Sequence, residues 1–301
     1  MTKDACMTDR ISSADVELDL KVSGPEDGPV VVLVHGFPDN RSVWSRVVED
    51  LEVDHRVVAY DVRGAGASTA PSSRSGYRVA RLVDDLVAVL DHVTPDGRPV
   101  HLVGHDWGSI QLWSAVMRED RDARLTGRLA SFTSISGPGL DQVGHFLRES
   151  VRRGHYTQLV GQALRAWHAG AFQVPFLPEL VLGRLGGPIR ARLEKSQHLD
   201  GHWDDSTFRA DARRGVNLYR ANRPSLRRAT TSVPVQLIVP TKDSFVTPGL
   251  LADVSSFAPD LRRIDVVANH WVVRTQPGRI AGAVRTFVQD VSEREAAQTG
   301  A

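Results

Sequence analysis

Short apolar runs rich in Val alternate along this chain with stretches whose apolar positions recur at helical spacing. Pro29-Val30-Val31-Val32-Leu33-Val34-His35 and Arg56-Val57-Val58-Ala59-Tyr60-Asp61 are nearly continuous apolar runs, the pattern of strands covered on both faces. Val100-His101-Leu102-Val103-Gly104 and Val233-Pro234-Val235-Gln236-Leu237-Ile238-Val239 share that character, and Arg263 to Ala268 is a shorter strand-like run. Between them, Val79 to Val93 places Leu82, Val83, Leu86, Val89 and Leu90 on one helical face. Strand, helix and strand in repetition predict an α/β fold: a mostly parallel sheet flanked by helices, joined by right-handed crossovers.

The alternation stops between about Gly139 and Ser232. That stretch has helix-like patterns, Gly and Pro interruptions at Gly183, Gly186, Gly187 and Pro188, and no strand pattern until Val233. The economical organisation is a core of residues 1–140 and 233–301 with a helical cap, residues 141–232, inserted in it. The tail from Ser292 to Ala301 reads as frayed and polar.

Composition adds boundaries. With 41% hydrophobic and 24% charged residues in 301, the chain has material for a large core, which excludes disordered and coiled-coil classes. A net charge of +1 gives no global attraction to nucleic acid. The charge is uneven, however: Asp141 to Ser232 carries +7. A solvated basic face is the plain reading of that segment, and peripheral membrane contact through a basic cap is the sharper one. A single cysteine, Cys6, forbids an internal disulfide. The start MTKDACMTDR lacks the apolar stretch of a signal peptide, and no apolar run is long enough to span a membrane, so a cytoplasmic protein is expected.

Chemistry concentrates at the predicted carboxyl ends of strands, where open α/β sheets place their sites. Gly104-His105-Asp106-Trp107-Gly108 lies between a strand and an apolar helical run, Ser109 to Met117, and matches the nucleophile elbow G-x-Nu-x-G with Asp106 at its centre. An N-cap aspartate on an ordinary turn is the bland alternative. The two partners an elbow requires follow in the right chain order: Asp243 just past the strand ending at Pro240, and His270 in Asn269-His270-Trp271. His35-Gly36-Phe37-Pro38 supplies a turn whose backbone N–H at Phe37 would pair with that of Trp107 as an oxyanion hole. Asp61-Val62-Arg63-Gly64-Ala65-Gly66-Ala67-Ser68 mimics a dinucleotide fingerprint, but Thr69 takes the third glycine position and the turn follows the wrong strand. No cofactor is expected. His198-Leu199-Asp200-Gly201-His202-Trp203-Asp204-Asp205 matches no closed zinc pattern and reads as a polar loop, so no metal is expected either.

The HGFPDN, DVRGAGAS, GHDWGS, KDSFVTP and NHW segments together resemble the α/β-hydrolase family, and within it the epoxide hydrolase branch, closest in character to mycobacterial-type epoxide hydrolases. An aspartate nucleophile fits that branch. Attack of a carboxylate on an sp³ carbon gives an alkyl ester that water can hydrolyse, whereas acyl substrates would give a mixed anhydride. The resemblance implies an epoxide opened to a vicinal diol through an Asp106 ester, with His270 and Asp243 activating water and cap residues polarising the epoxide oxygen. Asn217-Leu218-Tyr219-Arg220 matches the family's N-W-Y-R-like segment and nominates Tyr219. The family's other cap tyrosine precedes an F-Q-x-P segment by four residues; before Phe172-Gln173-Val174-Pro175 that place is held by His168. Substrate contacts are therefore expected from His168, Phe37, Trp107 and Trp271.

A histidine at that cap position also occurs in fluoroacetate dehalogenases of the same family, which makes haloalkane or haloacetate dehalogenation the runner-up. Against it, Phe37 stands where haloalkane dehalogenases have a halide-binding Asn. Trp107 and Gln111 follow Asp106 where fluoroacetate dehalogenases carry arginines. A non-catalytic ligand-binding protein on a hydrolase scaffold is the alternative of another class. The expected partner is a small-molecule or lipophilic epoxide, with a homodimer left open. The apolar run Phe172 to Leu182 either packs the cap onto the core or receives a lipophilic substrate.

Overall fold

The computed structural model describes residues 7–199 and 201–299. Cys6 and Asp200, singled out above, lie outside the described residues. Eight strands form one sheet: β1 (Met7–Ser13), β2 (Val16–Ser23), β3 (Val30–Val34), β4 (Arg56–Tyr60), β5 (Val100–His105), β6 (Leu129–Ile135), β7 (Val235–Pro240) and β8 (Leu261–Val266). Their order is β1-β2-β4-β3-β5-β6-β7-β8, with β1 and β2 antiparallel and every pairing from β4 to β8 parallel. Helices α1 (Ser45–Leu51), α2 (Val79–Val93) and α3 (Trp107–Val116) cross between strands, α9 (Val272–Thr275) follows β8, and α10 (Pro277–Thr299) closes the chain. Among the described residues between β6 and β7 the regular elements are helices: α4 (Leu140–Arg152), α5 (Tyr156–Arg165), α6 (Trp167–Ala171), α7 (Leu177–Gln197) and α8 (Asp205–Ala221).

The Val-rich runs are buried throughout β3 and β5 because helices cover both faces of the central sheet. One cluster, with Val32, Leu86 and Leu102, lies on one side of the sheet; the other, with Val31, Trp44 and Val284, lies on the opposite side. Helix α2 occupies the span its apolar face predicts and buries Leu82, Leu86 and Leu90.

Besides β1 and β2, which none of the strand runs above anticipates, three elements depart from the sequence reading. Strand β6 was not expected, since Ser131, Thr133 and Ser134 interrupt its hydrophobic pattern; all three are buried and hydrogen bonded, to His101, Gln236 and Trp113 respectively. Gly183, Gly186, Gly187 and Pro188 do not interrupt a helix but lie inside α7. A Cβ on Gly186 would come within 2.7 Å of the Arg209 side chain, so glycine there lets α7 and α8 approach closely. Lastly, α10 runs through Ser292 to Thr299, supported by exposed polar contacts such as Gln289 to Glu293 at 2.8 Å.

Candidate active site

Strand β5 ends at His105 and α3 starts at Trp107, so Asp106 sits alone on the turn between them, with φ +52° and ψ −122°. Such a backbone is costly for a non-glycine residue and persists only when its surroundings enforce it. They do: Asp106 N–H donates to Ile135 O at 3.0 Å, and Ile110 N–H donates to Asp106 O at 3.0 Å. Gly108 is required by a close approach, since a Cβ there would lie 2.0 Å from Val34 O. Gly36 is required for the same reason, because its Cβ would strike the Asp106 carboxylate at 2.4 Å.

The Asp106 side chain is held from two directions. Phe37 N–H donates to Oδ1 at 2.8 Å. His270 Nε2 stands 3.6 Å from Oδ2, and its Nδ1 lies 2.9 Å from Asp243 Oδ2. Asp243 Oδ1 in turn accepts the backbone N–H groups of Phe245 (2.7 Å) and Val246 (3.0 Å). Burial works against the Asp243 carboxylate's charge, but the His270 charge and these donors outweigh it and hold its pKa below the usual carboxylate value. For His270 burial alone would lower the pKa; the Asp243 charge and the contacts to both carboxylates reverse that and raise it to about 10. The two carboxylates thus favour the protonated imidazole.

Over this group lies an aromatic cluster built from distant segments. Tyr219 on α8 packs edge-on against Trp107 (5.0 Å between ring centroids), Phe172 (5.1 Å), Phe37 (5.3 Å) and His168 (5.6 Å). Burial first, then the Asp106 charge, push the Tyr219 phenol well above its ordinary range, although Trp107 opposes them. Burial lowers the His168 pKa, so its ring is neutral at pH 7. Arg220 stitches the two segments together, donating to Phe172 O (2.6 Å) and Val174 O (2.7 Å) and pairing with Glu179. Gln162 on α5 ties the helical segment to the Asp243 loop through Phe245 O (2.8 Å) and Thr247 N–H (2.9 Å). Beyond Phe37 and Trp107 lies a small cavity of about 20 Å³, room for about one water molecule, also lined by Gln111, Asp211 and Leu218.

The structure thus brings Asp106, Asp243, His270, Tyr219, His168, Phe37 and Trp107 together. Trp107 opens α3, where the first backbone N–H groups have no acceptor within the helix. Trp271 is placed differently from the other expected substrate contacts: it packs behind His270 at 4.7 Å, fully buried, with its indole N–H donated to Asp39. The apolar run after Phe172 divides. Leu182 is 7% exposed, whereas Phe176 is 84% and Leu180 50% exposed, so inward packing accounts for only part of it.

Sequence reasoning missed Asp39. Its buried carboxylate accepts from Trp203 Nε1 (2.8 Å), Trp271 Nε1 (2.8 Å) and His202 Nε2 (3.0 Å), joining the turn after β3, the α7–α8 connection and the residue beside His270. The segment His198 to Asp205 is accordingly less of a polar surface loop than its composition indicates, because His202 and Trp203 are inside, while Asp204 caps α8 through Ser206 N–H. His105 was missed too. Its Nε2 must donate to the His270 carbonyl oxygen (3.0 Å), and burial lowers its pKa to about 4. Both depend on partners far away in the chain, which no local motif announces.

A model of the alpha/beta hydrolase fold family matches residues 29–277. "Probable oxidoreductase EphD" of Mycobacterium tuberculosis is 35% identical over 278 residues, covering 88% of this chain and 46% of the relative, so the chain spans about half that protein's length. "Epoxide hydrolase A" of the same organism is 26% identical over 317 residues, covering 94% of this chain and 98% of the relative. Among solved structures, a Bacillus megaterium epoxide hydrolase bound to an inhibitor superposes with a TM-score of 0.77 at 20% identity, covering 93% of this chain and all of that one. No helix among the described residues is long and apolar enough to cross a membrane. With an eight-stranded sheet, the turn after β5 and a match over most of its length, this chain belongs to the α/β-hydrolase fold family.

Proposed function

We propose that the chain hydrolyses an epoxide to a vicinal diol through a covalent ester on Asp106. The observation that carries this reading is a carboxylate, not a hydroxyl, at the centre of the elbow, backed by the His270–Asp243 pair and faced by Tyr219. Relatives named as epoxide hydrolases agree with it.

In the first step Asp106 Oδ2, the oxygen Phe37 does not hold, attacks an epoxide carbon. The carbon–oxygen bond of the ring breaks, and the leaving oxygen takes the phenolic proton of Tyr219. A phenol whose pKa is raised gives up that proton to an alkoxide but not to water, which suits this role. His168, neutral beside Tyr219, is positioned to share the hydrogen bonding.

Esterification removes the Asp106 charge that helps keep His270 protonated, so the imidazole pKa falls and its proton passes, by way of solvent, to the Tyr219 phenolate, leaving a neutral base. His270 then takes a proton from water as hydroxide adds to the ester carbonyl. The backbone N–H of Phe37, already on Oδ1, and that of Trp107 would stabilise the tetrahedral oxyanion. Collapse expels the diol's alkoxide, which takes the second proton of the added water from the Asp106 carboxyl group, leaving Asp106 ionised and His270 protonated as at the start. Asp106 retains one oxygen from water. The helical segment between β6 and β7 acts in this scheme as a cap that supplies Tyr219 and His168, and its aromatic rings suit a lipophilic substituent on the epoxide.

The test is intact mass after incubation with a panel of epoxides. His270→Gln should gain the mass of one substrate and keep it, Asp106→Asn should gain nothing, and wild-type protein should turn over. Single turnover in ¹⁸O-water should place label in the Asp106 peptide. An unmodified His270→Gln protein beside an active wild type would overturn this division of labour, and binding without diol formation would favour a receptor.

A further inference from the structure

Away from Asp106, the chain leaving α8 crosses the start of α2 and the start of α4. Asn222 Oδ1 accepts Val79 N–H at 2.9 Å, Asn222 Nδ2 donates to Tyr77 O at 2.9 Å, and Ser225 N–H donates to Leu140 O at 3.0 Å. Between this crossing and α3 lies an open groove of about 710 Å³, within the size range of small-molecule sites. Ile110, Met117 and Leu140 line it with apolar surface.

Its charge is one-sided. Arg78, Arg118, Arg121, Arg223, Arg227 and Arg228 line the groove, and Asp141 is the acid among its lining residues. Arg121 pairs with Asp120, and Asp122, whose pKa is lowered chiefly by its hydrogen bonds to Arg124, also feels the charge of Arg118. The side chains of Arg78, Arg118, Arg223, Arg227 and Arg228 make no hydrogen bond or ion pair among the described residues. Elsewhere many of the chain's arginines are committed, as Arg63 is to Asp85 and Arg124 to Asp84 and Asp122. Gathering unpaired cations around one concavity costs self-repulsion that a multiply charged anion would relieve. A guanidinium fork matches phosphate oxygens bidentately, and a single carboxylate would answer few of these groups.

We propose that this groove binds a phosphorylated ligand bearing an apolar portion, the phosphate held by Arg118, Arg227 and Arg228 and the apolar part laid against Ile110, Met117 and Leu140. The site is separate from Asp106 and does not rest on the epoxide reading. The same chemistry is offered by a phospholipid headgroup and by a free phosphate ester.

Two probes separate these sources: inorganic pyrophosphate followed by calorimetry, and sedimentation with phosphatidylcholine vesicles with and without phosphatidylglycerol. The variant is Arg118→Ala/Arg227→Ala/Arg228→Ala. The control is Arg46→Ala/Arg279→Ala, which removes exposed arginines outside the groove. The proposal expects wild-type affinity for at least one probe to fall with rising salt, to weaken by about tenfold or more in the triple variant, and to be unchanged in the control. Sedimentation only with phosphatidylglycerol assigns the lipid headgroup; binding of pyrophosphate alone assigns the free ester. Absence of binding to both probes at low ionic strength overturns the proposal, as does an equal loss in the control.

Discussion

His270 Nε2 stands 3.6 Å from Asp106 Oδ2, beyond hydrogen-bond reach yet close enough for an ion pair, while its other nitrogen is bonded to Asp243. The two carboxylates divide their effect on one imidazole. Asp243 fixes its orientation; Asp106 contributes charge that chemistry can remove.

The first prediction follows from that division. The folded His270 pKa, at about 10, lies above its value of about 6.5 in an unfolded chain, so this group's contribution to stability is complete below pH 6.5 and is lost as pH rises towards 10. In Asp106→Asn one of the two anions is gone. Its His270 should titrate at lower pH, and its alkaline loss of stability, which starts from the same unfolded pKa, should be smaller and complete at lower pH than in wild type. Histidine NMR signals and melting curves recorded from pH 6 to 10 would check both; coincident titrations would contradict the charge argument.

Tyr219→Phe removes the donor aimed at the opening ring, and a single such donor is commonly worth about 10²–10³ in rate. Alkylation of Asp106, read as the rate of mass gain in single turnover, should slow by that amount, with His168→Ala slowing it less. Halide release from chloroacetate or fluoroacetate by wild-type protein, faster than diol formation from any epoxide, would instead mark a dehalogenase.

Asp211 on α8 reaches across to Gly66 N–H (3.0 Å) and Asn40 Nδ2 (3.3 Å). Burial chiefly raises its pKa to about 7; the Asp61 charge adds to this, and the two donors and Arg214 oppose it. A carboxyl whose pKa is raised on folding favours the folded state below its unfolded pKa and loses that contribution as pH rises through 7. Asp211→Asn, which keeps an acceptor and removes the charge, should stabilise the protein more at pH 8 than at pH 5, by at least about 1 kcal/mol, because the penalty builds up between about pH 4 and pH 7. Melting temperatures at the two pH values decide it; an equal shift at both would point to altered packing.

The apolar run after Phe172 yields a contrast between α7 and the residue that precedes it. Leu182 is buried, so Leu182→Ala should cost about 2–5 kcal/mol. Phe176→Ser and Leu180→Ser touch exposed positions and should change stability by no more than about 0.5 kcal/mol. Urea denaturation separates the two cases, and a large loss from Leu180→Ser would show that this face is covered in solution.

How much of this was legible in the sequence depended on whether the signal was local. The elbow announces itself because Gly104 and Gly108 flank Asp106 between a strand run and a helix run, and the parallel strands show as unbroken Val-rich stretches. Strand β6 hid because its buried Ser131, Thr133 and Ser134 are satisfied by side chains of other elements, a fact no hydrophobic pattern records. Asp39 hid for a related reason: its donors lie 163, 164 and 232 residues away. Tyr219 and His168 were found through resemblance, and their convergence on Asp106 depends on Arg220 gathering carbonyls from the end of α6.

The buried Asp39 carboxylate also bears on how molecules enter and leave. Swinging the helices between β6 and β7 away as one rigid body would strip His202 and Trp203 from an anion that Trp271 alone would then serve, a loss on the order of 3–5 kcal/mol. Traffic to Asp106 is therefore expected to use smaller, local breathing elsewhere, with the α7–α8 connection staying latched through the catalytic cycle. Exchange at the Trp203 indole N–H, which is held by Asp39 at 2.8 Å across the latch, should then be slow, and rapid exchange there during turnover would mean that the latch opens.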